Sequence, residues 1–124
     1  MEKTEKRKRG EEMFEAVYGG VVPAPQGGPE EDEFFRFTID HLFAEVWSRN
    51  KMSVRDRRLV AMGVMAALGE KDTFEIQLRA ALKNGELKED QLMDLLVFLT
   101  QYVGFPRTTH LLFAVKRVLA DGKG

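Results

Sequence analysis

Cysteine is absent from the 124-residue chain. Its absence excludes disulfides, thiolate metal sites, cysteine nucleophiles and dithiol redox chemistry together. An excess of either charge is also lacking: 19 basic against 20 acidic residues leave a net charge of -1. No global field therefore favours nucleic acid or an anionic membrane, and neither is expected as a partner. Long hydrophobic runs are missing too. The longest, Val60 to Leu68, is about half of the roughly 20 residues a bilayer needs. The start of the chain is charged and lacks an apolar leader core, so a soluble, cytoplasmic protein is expected. The two histidines and scattered carboxylates show no metal-ligand spacing, and the six methionines are dispersed as packing residues. Strand-like alternation is absent. The hydrophobic period is helical throughout, which makes the fold class all-α, a bundle of about six helices.

Residues 1–9 are mostly charged and are expected to form a flexible, solvated end, with a single domain over 10–124. Lys6 to Arg9 has neither the wider basic surface nor the interleaved aromatics of a nucleic-acid site. A first helix is predicted over about 5 to 17, with Met13, Phe14 and Val17 on its apolar stripe. Gly19 to Pro29 holds two Gly-Gly pairs and three of the four prolines, so regular structure stops there. Glu30 to Glu33 then places negative charge on the first turn of a helix running from about Glu31 to Trp47. Phe34, Phe35, Phe37, Ile39, Leu42, Phe43, Ala44 and Val46 surround that helix, which predicts burial on more than one side, by its own core or by an interface. His41 and Glu45 lie one turn apart on it, the spacing of an ordinary surface contact as much as of a catalytic pair.

Ser53 is a good N-cap for a third helix reaching Leu68. Its run from Leu59 is apolar all round and rich in small residues, and reads as the central helix of the bundle. Arg55, Arg57 and Arg58 open it, and a guanidinium at the mouth of a core can hold a carboxylate bidentately. Asp72 and Glu75 have capping-box spacing, and Asn84-Gly85 can end a helix, predicting a fourth from about Thr73 to Asn84. Phe74, Leu78, Ala81 and Leu82 recur on it at helical spacing, with the polar Gln77 among them. A fifth helix from Leu87 or Lys88 ends at Gly104, Pro106 prevents its continuation, and a sixth covers about Thr108 to Ala120.

Glu45-Val-Trp47-Ser-Arg49, Arg55-Asp-Arg57-Arg58-Leu, Ala66-Ala-Leu-Gly69, Glu75-Ile-Gln77-Leu-Arg-Ala-Ala-Leu-Lys-Asn-Gly85 and Tyr102-Val-Gly104-Phe-Pro106 stand in this order. Together they resemble the carboxymuconolactone decarboxylase family over roughly residues 10 to 120. The resemblance implies the AhpD-like helical fold and a homo-oligomeric ring, a homo-trimer or a homo-hexamer built from two trimers, with pockets at subunit contacts. The peroxidase branch, similar to alkylhydroperoxidase D, needs a Cys-x-x-Cys pair that this chain lacks. The Glu-Val-Trp-Ser-Arg string is similar instead to the lactone decarboxylase branch of aromatic-acid breakdown, which works without cofactor or metal. There the implied reaction is loss of carbon dioxide from 4-carboxymuconolactone to give an enol-lactone.

Such a reaction delocalises electrons onto the lactone carbonyl, so it requires fixed donors for an oxyanion and a proton for carbon. By resemblance, Arg49 and Arg57 would clamp the carboxylates of a small carboxylated substrate and Trp47 would exclude water. Glu45 would orient an arginine or take part in proton transfer. The catalytic candidates are thus Glu45, Gln77 and Tyr102; the substrate-binding candidates are Trp47, Arg49 and Arg57. Gln77 departs from the family, which has a histidine there. Glutamine can donate a hydrogen bond to an oxyanion but cannot exchange a proton near neutral pH. Either the proton donor has moved, with Tyr102, Glu45, His41 and His110 as candidates, or the reaction has been lost and a ligand-binding or scaffold paralogue remains. Gln77 also reads as a satisfied polar residue at a helix interface, and Tyr102 as a core ring with its hydroxyl paired.

Overall fold

The computed structural model describes residues 3–25, 27 and 31–122. Among them all regular structure is helical, with no strand. None of the helices among the described residues is long and apolar enough to cross a membrane. The chain divides into two compact units, Met1–Val54 and Arg55–Gly124.

In the first unit, α1 spans Glu5–Tyr18 and its N-cap Thr4 accepts a hydrogen bond from Arg7 N at 3.0 Å. Gly19, at φ 56°, closes it in the left-handed region that a Cβ disfavours. A second helical stretch starts as the short α2, Glu33–Arg36, capped by Asp32 on Phe35 N at 2.7 Å. Of the four acidic residues expected on this first turn, Glu30 lies outside the described residues. From Phe37 to Trp47 the stretch continues as a π-helix rather than the uninterrupted α-helix that periodicity predicts. Eleven residues of π geometry far exceed the single turn usually seen, and side chains add hydrogen bonds to carbonyls along the stretch. Thr38 Oγ1 donates to Phe34 O, while Arg9 Nε and Ser48 Oγ both donate to Ala44 O.

Ile39, Phe43, Ala44 and Trp47 form the buried face of the π segment, against Phe14 and Val17 of α1. Gly10 makes the contact close: a Cβ there would overlap the Ile39 carbonyl oxygen. Phe34 and Phe37, by contrast, stay 82% and 63% exposed, so within this unit the helix is covered on one side. The charged run at the start of the chain is also used in packing. Arg7 binds Glu31 and Asp40 with two hydrogen bonds each and lies over the Phe35 ring at 4.8 Å.

The second unit holds α3 (Val54–Leu68, whose first residue closes the other unit), α4 (Lys71–Lys83), α5 (Glu89–Val103) and α6 (Phe105–Gly122). Its core joins Met62 and Ala66, Phe74, Leu78 and Ala81, Leu92 and Leu96, and Leu111, Ala114, Val115 and Val118. The element packed against both α4 and α5 is α6. Sequence reading gave the central place to α3, but Val60, Val64 and Leu68 leave one face of it exposed. An all-apolar helix pattern specifies no face, whereas a stripe does.

The starts of α4 and α6 differ from expectation, while the Asn84-Gly85 stop is as expected. α4 begins at Lys71 with no side-chain cap, so Asp72 and Glu75 do not form the predicted box; Glu75 is engaged by Arg79 and Arg117 instead. Gly85 carries the left-handed turn at φ 71° while Asn84 does not. Gly104 breaks the chain between α5 and α6 at φ 102°, and Pro106 lies inside the first turn of α6, where no N–H is required.

Candidate functional site

Gln77 is three residues after Phe74 and four before Ala81, within the stripe that faces the core. Its burial follows from that position: it is 2% exposed. A buried amide needs a partner, and α3 supplies one in Arg58, itself 1% exposed. Arg58 Nη1 donates to Gln77 Oε1 at 2.7 Å. Its Nε and Nη2 donate to the two carboxylate oxygens of Glu86 at 2.5 and 3.1 Å, the bidentate geometry a guanidinium fork favours. Guanidinium only donates, so the Gln77 oxygen must face it, which fixes the orientation of the amide.

Glu86 reaches this position because the chain reverses at Gly85 just after α4. Its backbone is fixed on both sides: Glu86 N donates to Ala81 O at 2.9 Å and Arg55 Nε donates to Glu86 O at 2.9 Å. Arg55 also lines a cleft of about 480 Å³ with Leu59, Leu87, Gln91, Asp94 and Leu95. The buried triad and an open, partly apolar cleft therefore border the same turn.

The other sequence-predicted residues are distributed as follows. Arg57 follows Asp56 on α3 and is half-buried. Tyr102 is 80% exposed on α5, its ring 5.3 Å from Phe98, so it is not the core ring expected of it. Its hydroxyl is thus on the surface, away from the buried Gln77. In the first unit Trp47 stacks on Phe43 within the core and Arg49 is exposed just beyond the π segment. Glu45 is exposed beside His41 at 3.1 Å, the ordinary surface pairing, and lines a shallow cleft of about 300 Å³ with Lys6, Arg36 and Asp40.

Two carboxyls clarify the question of a proton donor. The hydrogen bond from His41, with Lys6 nearby, holds Glu45 below its ordinary range, which makes it an acceptor rather than an acid. For Glu75, burial pushes the pKa up, but hydrogen bonds from Arg117 and Arg79 outweigh it and the net direction is down. Glu75 ties α4 to α6 through Arg117 at 2.6 Å. His110 Nε2 lies 2.9 Å from Gly69 O, so that nitrogen carries the proton and donates to the loop after α3.

Arg58 and Glu86 are the members of the buried cluster that sequence reading did not select. The signal was partial: Arg58 follows Arg57 directly, and only the face of α3 decides which of the two turns inward. Among the described residues, no group of three or more His, Cys, Asp or Glu could hold a metal ion.

The family model for the carboxymuconolactone decarboxylase family matches residues 32–117. A curated relative, the 4-carboxymuconolactone decarboxylase of Acinetobacter baylyi, is 33% identical over 89 residues, which is 72% of this chain and 66% of that protein. The chain thus spans just under two thirds of the length of that relative.

Proposed function

The chain belongs to the carboxymuconolactone decarboxylase family, and from that premise we propose that it is a decarboxylase-like carboxy-lyase that takes a small carboxylated lactone or keto acid without a cofactor. The observation that carries the reading is the 33% identity, over 89 residues, to a protein named 4-carboxymuconolactone decarboxylase. In this reading the protein is a cytoplasmic homo-oligomer of aromatic-acid catabolism, a trimer or hexamer.

Decarboxylation leaves an electron pair that spreads to the lactone oxygen, and a pre-oriented donor stabilises that oxygen without reorganising. Gln77 stands where the family has a histidine and is held in place by Arg58, which fixes the orientation of its amide. Arg49 and Arg57 would hold carboxylates, Trp47 would exclude water, and Glu45, as a carboxylate, would orient an arginine. For the proton, Glu45 is disfavoured because it is held below its ordinary range, and Tyr102, with its hydroxyl on the surface, would have to reach the substrate from outside the buried cluster.

A second reading, a ligand-binding or scaffold paralogue without chemistry, is favoured by one observation. The position where the family has a histidine holds an amide locked beside a permanently charged guanidinium, and neither exchanges protons near neutral pH.

Freshly generated 4-carboxymuconolactone supplied to the purified protein separates the two. Turnover that falls about a hundredfold in Arg57→Ala, the scale of a lost charge-assisted contact plus misplacement, supports the lyase. No turnover by the native chain removes the lyase reading and leaves the paralogue. Gln77→His alone would not restore an acid, because the Arg58 guanidinium beside it disfavours the imidazolium.

A further inference from the structure

A cleft of about 200 Å³ opens between α5 and α6, where Gly104 turns the chain from one helix into the next. Four of the residues lining it are polar, yet their hydrogen bonds run along their own helices rather than into the space. Gln101 Nε2 donates to Val97 O at 3.1 Å, and Thr109 Oγ1 donates to Phe105 O at 2.7 Å. Thr108 Oγ1, on a residue only 2% exposed, donates to Gly104 O at 3.0 Å. Thr100 Oγ1, also buried, lies 2.8 Å from Leu96 O and 3.0 Å from Thr108 Oγ1. A hydroxyl has one proton to give, and both protons of this threonine pair are used between the two helices. The surface facing the cleft is accordingly almost all apolar, and among the described residues that line it none is charged.

Those properties define an occupant. A carboxylate or an ammonium would give up its water here and meet no opposite charge, and burying an unpaired charge is costly. A neutral apolar body has no such cost and gains by leaving water. The size is that of one ring, since an apolar cavity of about 150 Å³ accepts benzene. Met93 and Phe105 in the lining favour an aromatic ring over an alkyl chain: a thioether packs well at a ring edge, and paired rings gain beyond their buried area. The Thr100 to Thr108 contact ties the two helices at the cleft before any ligand arrives, which lowers the ordering cost of binding.

We propose that the cleft between α5 and α6 is a binding site for a small neutral aromatic molecule, and that it discriminates against a carboxylated ring of the same size. The site is separate from the Arg58, Gln77 and Glu86 cluster, none of which lines it. It goes beyond the lyase reading and requires no turnover. No bond is made or broken on binding.

The test compares toluene with benzoate, which share a ring and differ by a methyl group against a carboxylate, each titrated into the native chain. The Met93 methyl resonance, identified by its loss in Met93→Leu, reports an entering ring through its ring current. Toluene should move that resonance saturably, and benzoate should bind at least about tenfold more weakly. Thr109 is an exposed lining residue, so a larger side chain there does not burden the core. Thr109→Trp should fill the space and weaken toluene binding about tenfold or more. Thr109→Val keeps the shape without the hydroxyl and should hold the affinity within about twofold, because that hydroxyl is turned to Phe105 O. Benzoate binding as tightly as toluene, a Met93 resonance unmoved up to the solubility of toluene, or a loss in Thr109→Val as large as in Thr109→Trp overturns the site. Sedimentation gives the remaining outcome: native protein that is associated, with Thr109→Trp dissociated, makes this face a contact between copies of the chain and also overturns the proposal.

Discussion

Each unit of this protein is organised around one arginine, and the two arginines are neutralised differently. Arg7 of the first unit faces two carboxylates, Glu31 and Asp40, and an aromatic ring, at 15% exposure. Arg58 of the second faces one carboxylate and a neutral amide at 1% exposure. A cation with a surplus of fixed anions is a structural tie: losing one partner leaves another. A cation this deeply buried, held by a carboxylate from a turn and an amide from a helix, is costlier to disturb, because no water can replace a lost partner. The contrast teaches that burial, as much as the number of counter-ions, sets what losing a partner costs.

The largest expected effect tests the Arg58 side. Arg58→Met leaves the Gln77 oxygen unsatisfied and Glu86 without its partner, and should cost about 3–5 kcal/mol in urea unfolding. Adding Glu86→Leu should return about half of that, since an apolar pair of similar volume often replaces a buried ion pair without loss. A single variant within about 1 kcal/mol of native would show that the cluster carries little stability.

Next in size is Gly10→Ala. The added Cβ meets Ile39 backbone, which cannot give way as a flexible side chain can, so about 2 kcal/mol should be lost. An unchanged melting temperature would mean that α1 does not rest on the π segment this closely.

The Arg7 side is tested by acid. The hydrogen bond from Arg7, its largest influence, lowers the Asp40 pKa from an ordinary 3.8. Its stabilisation is present above the ordinary value and is lost as pH falls through the depressed one. Native protein should therefore keep Asp40 ionised below pH 4, on the scale of reference values, and lose stability below that. Arg7→Gln should lower stability by about 1–2 kcal/mol at pH 7 and flatten the acid slope below about pH 4. Equal slopes in the two proteins would remove the Arg7–Asp40 tie from the acid response; Glu75, also lowered, would remain as a second source.

The smallest effect is expected outside both clusters. His41 and Glu45 are an exposed i,i+4 pair, so His41→Ala should change stability by no more than about 0.5 kcal/mol. A larger loss would give that pair a role the geometry does not.

Much of the second unit was legible in advance because its helices are striped. Phe74, Leu78 and Ala81, and Leu92 and Leu96, repeat at the period of one face, and one face is what they bury. Gly85 and Gly104 were readable as stops because positive φ excludes other residues cheaply. The first unit was harder. A helix apolar on every side does not say which side is covered, and nothing in local propensity announces a π-helix. The capping spacing of Asp72 and Glu75 misled for a related reason: Glu75 found two arginines on its own and a neighbouring helix. Gln77 was legible as a residue in question. Its partner was not, because Arg55, Arg57 and Arg58 are chemically alike and only the rotation of α3 against α4 separates them.

The sequence by itself determined the helical class, the exclusion of thiol chemistry, the positions where helices must stop and the family, since composition, period and motif order are properties of the linear chain. Only the tertiary structure decided that Arg58 is the guanidinium at Gln77, that Glu86 occupies its fork, and that Tyr102 faces outward. Each depends on which face of a helix meets another element, and that is settled by packing across long separations in the chain, where a rotation of one residue's angle exchanges a buried arginine for a half-buried one.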